Sequence, residues 1–199
     1  MTLIQILFLS LLIVFYGAYI TKTLLLGRQG VRVNIPGKGN KPPKALFIEK
    51  FLRAATLAGA AVQFFSVLFP NAIWTLKAYP TMREDGLILA VLGTIFFIAA
   101  VMAMGKNWRA GFTDEQGTEL VTGGIYRFSR NPAFLAFDLL YTGCALAFPN
   151  PVNIAAAILA IILFHMQIAR EEKFCAEVFG QAYADYKNTV MKYFGRKKI

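Results

Sequence analysis

The segment Leu120–Pro132 carries the residue types of an anion-binding site. The pair Gly123–Gly124 lacks side chains, so a ligand can approach the backbone closely there. Pro132 suits the first turn of a helix, and Asn131 can cap that helix. The free amide groups of a helix N-terminus, together with Arg130, would attract a carboxylate or a phosphate. The same residues are equally compatible with a helix cap beside a basic anchor at the membrane surface.

Two adjacent carboxylates, Glu171 and Glu172, follow Arg170 at the end of the last long apolar run. Like charges placed side by side repel each other and make a poor anchor at a membrane boundary. Their presence is explained if they meet the arginines of the segment Leu120–Pro132 in the folded protein. The alternative interpretation is a solvated helix end.

Polar groups also interrupt the apolar runs. Asp138 is the only formal charge well inside one, and placing it near mid-bilayer costs about 2.5–3.5 kcal/mol, so it needs a partner or a role. A neutral aspartic acid that is hydrogen-bonded to a neighbouring helix is the equal alternative. We expect His165, the only histidine, to be a packed helix residue, and we expect neither a disulfide nor a metal site from Cys144 and Cys175. The other members of this set are Gln63 and Gln167.

The composition places these residues in an integral membrane protein. The chain of 199 residues is 57% hydrophobic and 16% charged, and its charges cluster in a few blocks. A soluble domain is about a quarter charged. A helix needs about 20 apolar residues to cross a bilayer. The predicted spans are residues 3–26, 54–76, 86–104, 132–148 and 152–168. We therefore predict an all-α, polytopic fold with five transmembrane helices.

Only residues 149–151 separate the fourth and fifth spans, so these must form a tight antiparallel helical hairpin. The fourth span is short, which suggests local thinning of the bilayer or a loop that dips in at its start. Beyond the fifth span, Arg170–Phe179 continues the helical pattern and Gly180 ends it. Apolar residues then recur at 183, 186, 190 and 194. This spacing predicts a cytoplasmic, amphipathic C-terminal helix that lies back on the bundle.

The placement of lysine and arginine sets the orientation. Residues 22–53, which include a loop marked by glycine and proline at 37–43, are rich in basic side chains, and so are residues 105–130 and the tail. All of them share one side if the N-terminus is outside and the C-terminus cytoplasmic. The membrane would be the plasma membrane in a prokaryote and the endoplasmic reticulum in a eukaryote. The net charge of +10 is explained by this topology and by contact with membrane lipids, not by nucleic acid.

The polar segment and the residues after it resemble a known family. Leu120–Tyr126 followed by Arg130–Phe134 is similar to the signature of isoprenylcysteine carboxyl methyltransferases and related phospholipid methyltransferases. Asn131 stands where that family usually has histidine, and Phe134 where it usually has tyrosine. The resemblance covers roughly residues 85–195. Further matches, in the family's order, are Asn150–Pro151, Arg170–Glu172, Phe179–Gly180, Tyr183, Tyr186 and Val190.

This resemblance implies that S-adenosylmethionine donates a methyl group, leaving S-adenosylhomocysteine. The implied acceptor enters from the bilayer and is most directly the α-carboxylate of an S-prenylated cysteine. Arg130 and Glu171 hold the implied catalytic positions, with no metal, in a catalytic core at residues 85–199. Residues 1–84 would form N-terminal helices and a basic cytoplasmic loop. The implied cofactor-binding residues are Glu119, Leu120, Val121, Gly123, Gly124, Tyr126, Asn131, Pro132, Phe134, Leu135 and Glu172.

Other functions remain compatible with the sequence. The nearest is a phospholipid amine N-methyltransferase. A more distant one is an NADPH-dependent sterol-type reductase, because such membrane reductases share a similar C-terminal hairpin. A small structural or transport bundle is the non-enzymatic alternative, although a transporter should carry inverted repeats or broken helices, and neither is visible in the sequence.

Overall fold

The computed structural model describes residues 1–31, 43–72, 74–77, 79–108 and 119–197. Most of the loop predicted at 37–43 lies outside these residues. So do residues 109–118 of the predicted polar segment and several basic residues of the predicted cytoplasmic loop. The affected basic residues are Arg32, Lys38 and Lys41.

The described part of the chain is mainly α-helical. The helices are α1 Leu3–Arg28, α2 Pro43–Leu68, α3 Pro80–Met104, α4 Pro132–Ala147 and α5 Pro151–Thr189. Single 3-10 turns occupy Gly105–Asn107 and Gly124–Arg127. Proline stands in the first turn of α3, α4 and α5, where the missing amide hydrogen costs nothing. The local sequence therefore explains where these helices begin.

Four of the helices, α1, α2, α3 and α5, are long and apolar enough to cross a membrane. They make the chain an integral membrane protein. The apolar helix α4 has only 16 residues and is about 24 Å long, whereas a hydrocarbon core is about 30 Å thick. Helix α5 has 39 residues and contains a kink at Gly180, whose φ of 50° is not helical. The predicted break at Gly180 is thus a change of direction within one long element.

Two helices begin before their predicted spans. Helix α2 begins at Pro43 and not at 54, and α3 begins at Pro80 and not at 86. A helix continues through charged residues at its ends, which a search for apolar runs leaves out. The predicted extension of the second span to residue 76 is wrong because α2 ends at Leu68. Proline disfavours helical backbone in the preceding residue, so Pro70 terminates the helix.

Helices α3 and α4 pack with their backbones in contact. A Cβ atom added to Gly86 would lie 2.5 Å from the carbonyl oxygen of Gly143, and one added to Gly93 would lie 2.7 Å from that of Ala136. Small residues permit this close approach between apolar helices, where lipid offers no hydrophobic drive for association. We call Gly86, Gly93 and Gly143 the glycine seam. The seam fixes α4 against α3, and with it the polar residues at the start of α4.

Aromatic side chains set the remaining helix spacing. Phe15 of α1 stacks on Phe97 of α3, with ring centroids 4.3 Å apart, and meets Phe137 of α4 edge-on at 4.8 Å. Phe164 of α5 lies 5.1 Å from Phe137. Because whole rings separate these helices, the backbones stay farther apart than at the glycine seam. A space remains between α1 and α2 on one side and α4 and α5 on the other.

The connection between α4 and α5 is fixed by two asparagines. The side chain of Asn150 accepts a hydrogen bond from the backbone N–H of Asn153 at 2.8 Å and so caps α5. Its Nδ2 donates to Ser66 of α2 at 3.0 Å. Asn153 Nδ2 donates to the carbonyl oxygen of Cys144 at 3.1 Å. The turn between the two helices is therefore also attached to α2.

The chain after α5 does not continue as the predicted helix. Val190 and Phe194 are the predicted members of the helical repeat that lie outside it, because α5 ends at Thr189. The backbone reverses, with Val190 and Arg196 forming an isolated antiparallel bridge. The ring of Phe194 packs against Phe96 of α3, 5.6 Å between centroids. We call residues 190–197 the C-terminal hook.

Candidate active site

A cavity of about 470 Å³ lies between α1 and α2 on one side and α4 and α5 on the other. One part of its wall is polar and another is aromatic and aliphatic. Helices α1 and α2 contribute Tyr16, Tyr19, Ile20, Glu49, Leu52, Arg53, Thr56, Leu57, Ala60 and Phe64. The rest of the wall consists of Met104, Trp108, Tyr126, Arg130, Asn131, Pro132, Ala133, Phe134, Phe137, Phe164, Gln167 and Glu171.

Arg130 connects the two polar clusters that the sequence singled out. Its Nε and Nη2 both donate to Glu172 Oε1, at 3.0 and 2.8 Å. Its Nη1 donates to the carbonyl oxygens of Val190 and Lys187, at 2.6 and 3.3 Å. The side chains of Arg130 and Glu172 are 5% and 14% exposed. The guanidinium therefore lies in a buried, directional network that joins the start of α4 to α5 and the C-terminal hook.

The carboxylate that pairs with Arg130 is Glu172, whereas Glu171 lines the cavity. Glu171 Oε1 accepts a hydrogen bond from Gln167 Nε2, one helical turn earlier, at 3.0 Å. Adjacent residues on a helix point about 100° apart. The two carboxylates therefore lie in different surroundings: Glu172 in the Arg130 network and Glu171 in the cavity wall.

Asn131 occupies the cap position of α4, but its side chain makes no cap hydrogen bond. The predicted helix cap is wrong at this position. Its Nδ2 donates instead to Glu172 Oε1 and to the carbonyl oxygen of Lys192, both at 3.1 Å. An ionised carboxylate is a stronger acceptor than neutral partners, and the amide group points toward it. Asn131 thus adds a second link between α4, α5 and the C-terminal hook.

Gln167 brings an unsatisfied acceptor to the cavity wall. It is 2% exposed, and its Nε2 is used by Glu171. Its Oε1 is buried and has no hydrogen-bond partner within the described part of the chain. A buried polar atom without a partner costs about 1–3 kcal/mol. A ligand that donates a hydrogen bond beside Gln167 and Glu171 would remove that cost.

Tyr126 is buried and forms part of the same wall. Its carbonyl oxygen accepts a hydrogen bond from the Tyr186 hydroxyl at 2.7 Å, which attaches the turn Gly124–Arg127 to α5. Burial, and then the negative charge of Glu171, raises the pKa of Tyr126 above its ordinary value. The phenol therefore stays protonated and can donate a hydrogen bond to a ligand at neutral pH.

The remaining residues that the resemblance implied fall into two groups. Pro132 and Phe134 line the cavity. Leu120 lies elsewhere, packed against Tyr183, Tyr186 and Val190. The others are not part of the described cavity wall: Glu119, whose backbone N–H donates to Asn107 Oδ1 at 3.4 Å, the exposed Gly123 and Gly124, and the half-buried Val121 and Leu135.

Sequence reasoning missed the wall that α1 and α2 supply. Glu49, Arg53 and Thr56 of α2 all line the cavity. Their spacing of four and three residues places them on one helix face, which was the available signal. Nothing in the apolar runs indicated that this face would meet α4 and α5.

The intramembrane polar residues other than Gln167 lie outside this cavity wall. Gln63 accepts a hydrogen bond from the Tyr16 hydroxyl at 2.7 Å and so joins α2 to α1. His165 Nδ1 lies 2.8 Å from the carbonyl oxygen of Ile161, and its ring packs 5.3 Å from that of Tyr193. Asp138 is half-buried, and both Cys144 and Cys175 are free thiols.

Comparison with known proteins gives consistent matches. The family described as phospholipid methyltransferase matches residues 82–182. Protein-S-isoprenylcysteine O-methyltransferase A of Arabidopsis thaliana is 28% identical over 165 residues, covering 79% of this chain and 80% of the plant protein. A probable protein-S-isoprenylcysteine O-methyltransferase of Oryza sativa subsp. indica is 26% identical over 190 residues, 92% of each chain. The mouse protein-S-isoprenylcysteine O-methyltransferase is 26% identical over 155 residues, 74% of this chain and 55% of its own length.

Proposed function

This chain belongs to the phospholipid methyltransferase family and is a methyltransferase, and from that premise we propose both of its substrates. We propose that it transfers a methyl group from S-adenosylmethionine to the α-carboxylate of an S-prenylated cysteine held in the bilayer. The observation that carries this proposal is the cavity, whose wall combines Tyr126, Gln167 and Glu171 with an aromatic and aliphatic surface. The matched relatives named for isoprenylcysteine methylation support the same acceptor.

The polar wall fits S-adenosylmethionine. The unsatisfied Gln167 Oε1 and the Glu171 carboxylate lie side by side, and together they suit the ammonium group of an amino acid. Tyr126 supplies a protonated phenol. When bound, S-adenosylmethionine would supply a methyl group bonded to a positively charged sulfur, and that sulfur is the leaving group that an acceptor oxygen displaces in line. Gln167, Glu171, Tyr126 and the nearby Asn131 are the residues that would hold it.

The role we assign to Arg130 is that of a positioning residue. Its donors are directed to Glu172 and to backbone carbonyls of residues 187 and 190. It therefore fixes the relative placement of α4, α5 and the C-terminal hook, on which Asn131 and Glu171 depend. In-line displacement is accelerated mainly by such positioning and by removal of water. A carboxylate acceptor is already ionised at neutral pH, so these residues need not remove a proton from it.

The membrane arrangement we propose has five spans, with α4 and α5 forming a hairpin that crosses and returns. The N-terminus would be outside, and Arg130, Glu171 and the C-terminal hook at the cytoplasmic face. Single cysteines at Glu119 and Lys197, both exposed, in a chain without Cys144 and Cys175, would test it. An impermeant thiol reagent should label both from the cytoplasmic side. Labelling from opposite sides would exclude this topology.

A second candidate is amine methylation of a phospholipid. Glu49 lines the cavity and is 1% exposed, and a buried carboxylate can favour a cationic head group. The two functions separate in one assay with radiolabelled S-adenosylmethionine and purified protein. The acceptors are an N-acetyl-S-farnesylcysteine, phosphatidylethanolamine and a blank. Our proposal expects label in the prenylcysteine methyl ester, and label in the phosphatidylethanolamine alone would favour the second candidate.

Binding of S-adenosylhomocysteine tests the cofactor independently of the acceptor. A ligand that binds only the folded state raises the melting temperature by mass action. Thermal stabilisation by S-adenosylhomocysteine and none by NADPH is the expected result. The reverse pattern, stabilisation by NADPH alone, would favour the reductase interpretation.

A further inference from the structure

The cavity face of α2 changes from charged to apolar along its length. Glu49, Arg53, Thr56, Ala60 and Phe64 all line the cavity. They follow one another at intervals of three or four residues and so form one stripe on the helix. From Arg53 to Phe64 the stripe rises by about 16 Å. A wall with this polarity matches an elongated amphiphile with a polar head at one end and an apolar chain at the other.

Helix α1 and the aromatic residues of α4 and α5 extend the apolar end. Ile20 of α1, Phe137 of α4 and Phe164 of α5 line the same cavity. Tyr141 Oη donates to the carbonyl oxygen of Thr56 at 3.2 Å and so fixes α2 against α4. An apolar chain is therefore enclosed by several helices, and each CH₂ that it buries contributes about 0.8 kcal/mol.

The cations in the cavity wall differ in their availability. Among the described residues, the wall contains Arg53 and Arg130 as its cationic side chains. Arg130 is directed to Glu172 and to backbone carbonyls, and its side chain is 5% exposed. Arg53 is exposed, and within the described part of the chain its guanidinium has no ion pair. Arg53 is thus the cation that can meet an incoming anion.

We propose that Arg53 binds the carboxylate of the methyl acceptor, with the acceptor's apolar chain along Leu57, Ala60 and Phe64 of α2. This inference rests on the proposed function and assigns the acceptor half of the cavity to the N-terminal helices. It makes Arg53 a specificity-determining residue that distinguishes an anionic head group from a neutral one. A planar guanidinium can pair with a carboxylate through two parallel hydrogen bonds, which a neutral carboxamide cannot reproduce.

The experiment measures binding and not turnover. The full-length protein in lipid nanodiscs, saturated with S-adenosylhomocysteine, is titrated with N-acetyl-S-farnesylcysteine and with its carboxamide. The wild-type protein should bind the acid about tenfold more tightly than the amide, because hydrogen bonds to charged groups contribute more than neutral ones. In Arg53→Gln the ratio should fall to about one through weaker binding of the acid alone. Arg53→Lys should be intermediate, since it keeps the charge and loses the planar geometry.

Lys50→Gln is the matched control. Lys50 lies on the same helix, is exposed and is not part of the described cavity wall, so the same change of charge should leave the acid-to-amide ratio at the wild-type value. Affinity for S-adenosylhomocysteine should stay unchanged in all three variants, which also shows that they are folded.

Several results would overturn the inference: an unchanged ratio in Arg53→Gln, equal wild-type affinity for acid and amide, or loss of S-adenosylhomocysteine binding in Arg53→Gln alone. Failure of the proposed function would give a different experimental result. If the wild-type protein methylates no prenylcysteine but keeps an Arg53-dependent preference for the acid, the reaction is wrong and the carboxylate site stands.

Discussion

Helix α4 faces two different surfaces. Toward α3 it presents Gly143 and the Ala136 backbone, and the glycine seam leaves no space for a side chain. Toward α1, α2 and α5 it presents Phe134 and Phe137, and a cavity remains between the helices. Backbone contact gives a rigid joint with one geometry, whereas ring contacts hold helices apart and leave room for a ligand. One helix thus makes a close structural contact on one face and forms part of the cavity wall on the other.

The largest effect is expected at Arg130, which lines the cavity just before α4 begins. Arg130→Ala would leave the buried Glu172 carboxylate without its cationic partner, which costs about 3–5 kcal/mol, and would remove the Arg130 hydrogen bond to the C-terminal hook. We expect at least a hundredfold loss of turnover, since small misplacements in a site have that effect. Arg130→Lys should fail nearly as badly because a point charge cannot replace the planar fork.

Methyl transfer and limited proteolysis of the C-terminal hook are the two measurements for Arg130. Arg127→Ala, which removes an exposed arginine of the same segment, should behave as wild type in both. Near wild-type turnover of Arg130→Ala would contradict the positioning role and would favour the alternative, in which Arg130 is a basic anchor at the membrane surface.

The next effect is at the seam itself. Gly93→Leu would place a Cβ 2.7 Å from the Ala136 carbonyl oxygen and 3.0 Å from the Leu140 nitrogen. Forcing these backbones apart should lower the free energy of unfolding by about 3 kcal/mol. Gly17→Leu on α1 is the control, because nothing lies within 4 Å of a Cβ there. Thermal unfolding in detergent should separate the two variants, and equal melting temperatures would contradict a close seam.

A smaller effect is expected within the cavity. Glu171→Gln keeps the size of the side chain and removes its charge, so the protein should insert and fold normally. Affinity for S-adenosylhomocysteine should fall about tenfold, with loss of most activity, because a charge-assisted hydrogen bond to an ammonium group is lost. Isothermal titration provides the measurement. Glu177→Gln, at an exposed position that pairs with Lys173 at 3.7 Å, should change neither quantity.

The smallest effect concerns pH. The pKa of Tyr126 is raised in the folded protein, mainly by burial, so the unfolded chain loses this proton first as the pH rises. The stabilising contribution is complete below the ordinary tyrosine pKa of 10.0 and is lost above it. Tyr126→Phe should therefore weaken the decline in melting temperature above about pH 10. An identical pH profile in the variant would contradict a buried phenol.

The positions of the helices could be predicted from the sequence because apolar runs of this length have few alternatives in a membrane. Their ends could not. Helix α2 continues through charged residues such as Lys50 and Arg53, and α3 starts six residues before its apolar run, at Pro80. The C-terminal repeat failed from Val190 onward because Val190 bridges to Arg196 and the ring of Phe194 packs on Phe96 and Phe128 outside any helix.

The candidate site could be predicted only in part, because its full geometry depends on tertiary contacts. The residue types indicated that Arg130 and the adjacent carboxylates Glu171 and Glu172 belong together, and the structure pairs Arg130 with Glu172. Which carboxylate faces the guanidinium depends on the rotation of α5, which is set by packing of residues such as Phe164 against α4. The contribution of α1 and α2 depends on tertiary contacts alone. The spacing of Glu49, Arg53 and Thr56 marks one face of α2, but no local pattern indicates that this face meets α4 and α5.

The C-terminal hook makes its hydrogen bonds to the start of α4 through its main chain. Arg130 and Asn131 donate to the carbonyl oxygens of Val190 and Lys192, and the reversal closes through backbone bonds such as Met191 N–H to Gly195 O at 2.9 Å. Carbonyl oxygens are the same in every residue type. The exposed Arg196 and Lys197 can therefore be replaced in evolution, and the surface charge of this segment can change, without loss of the main-chain bonds that hold it.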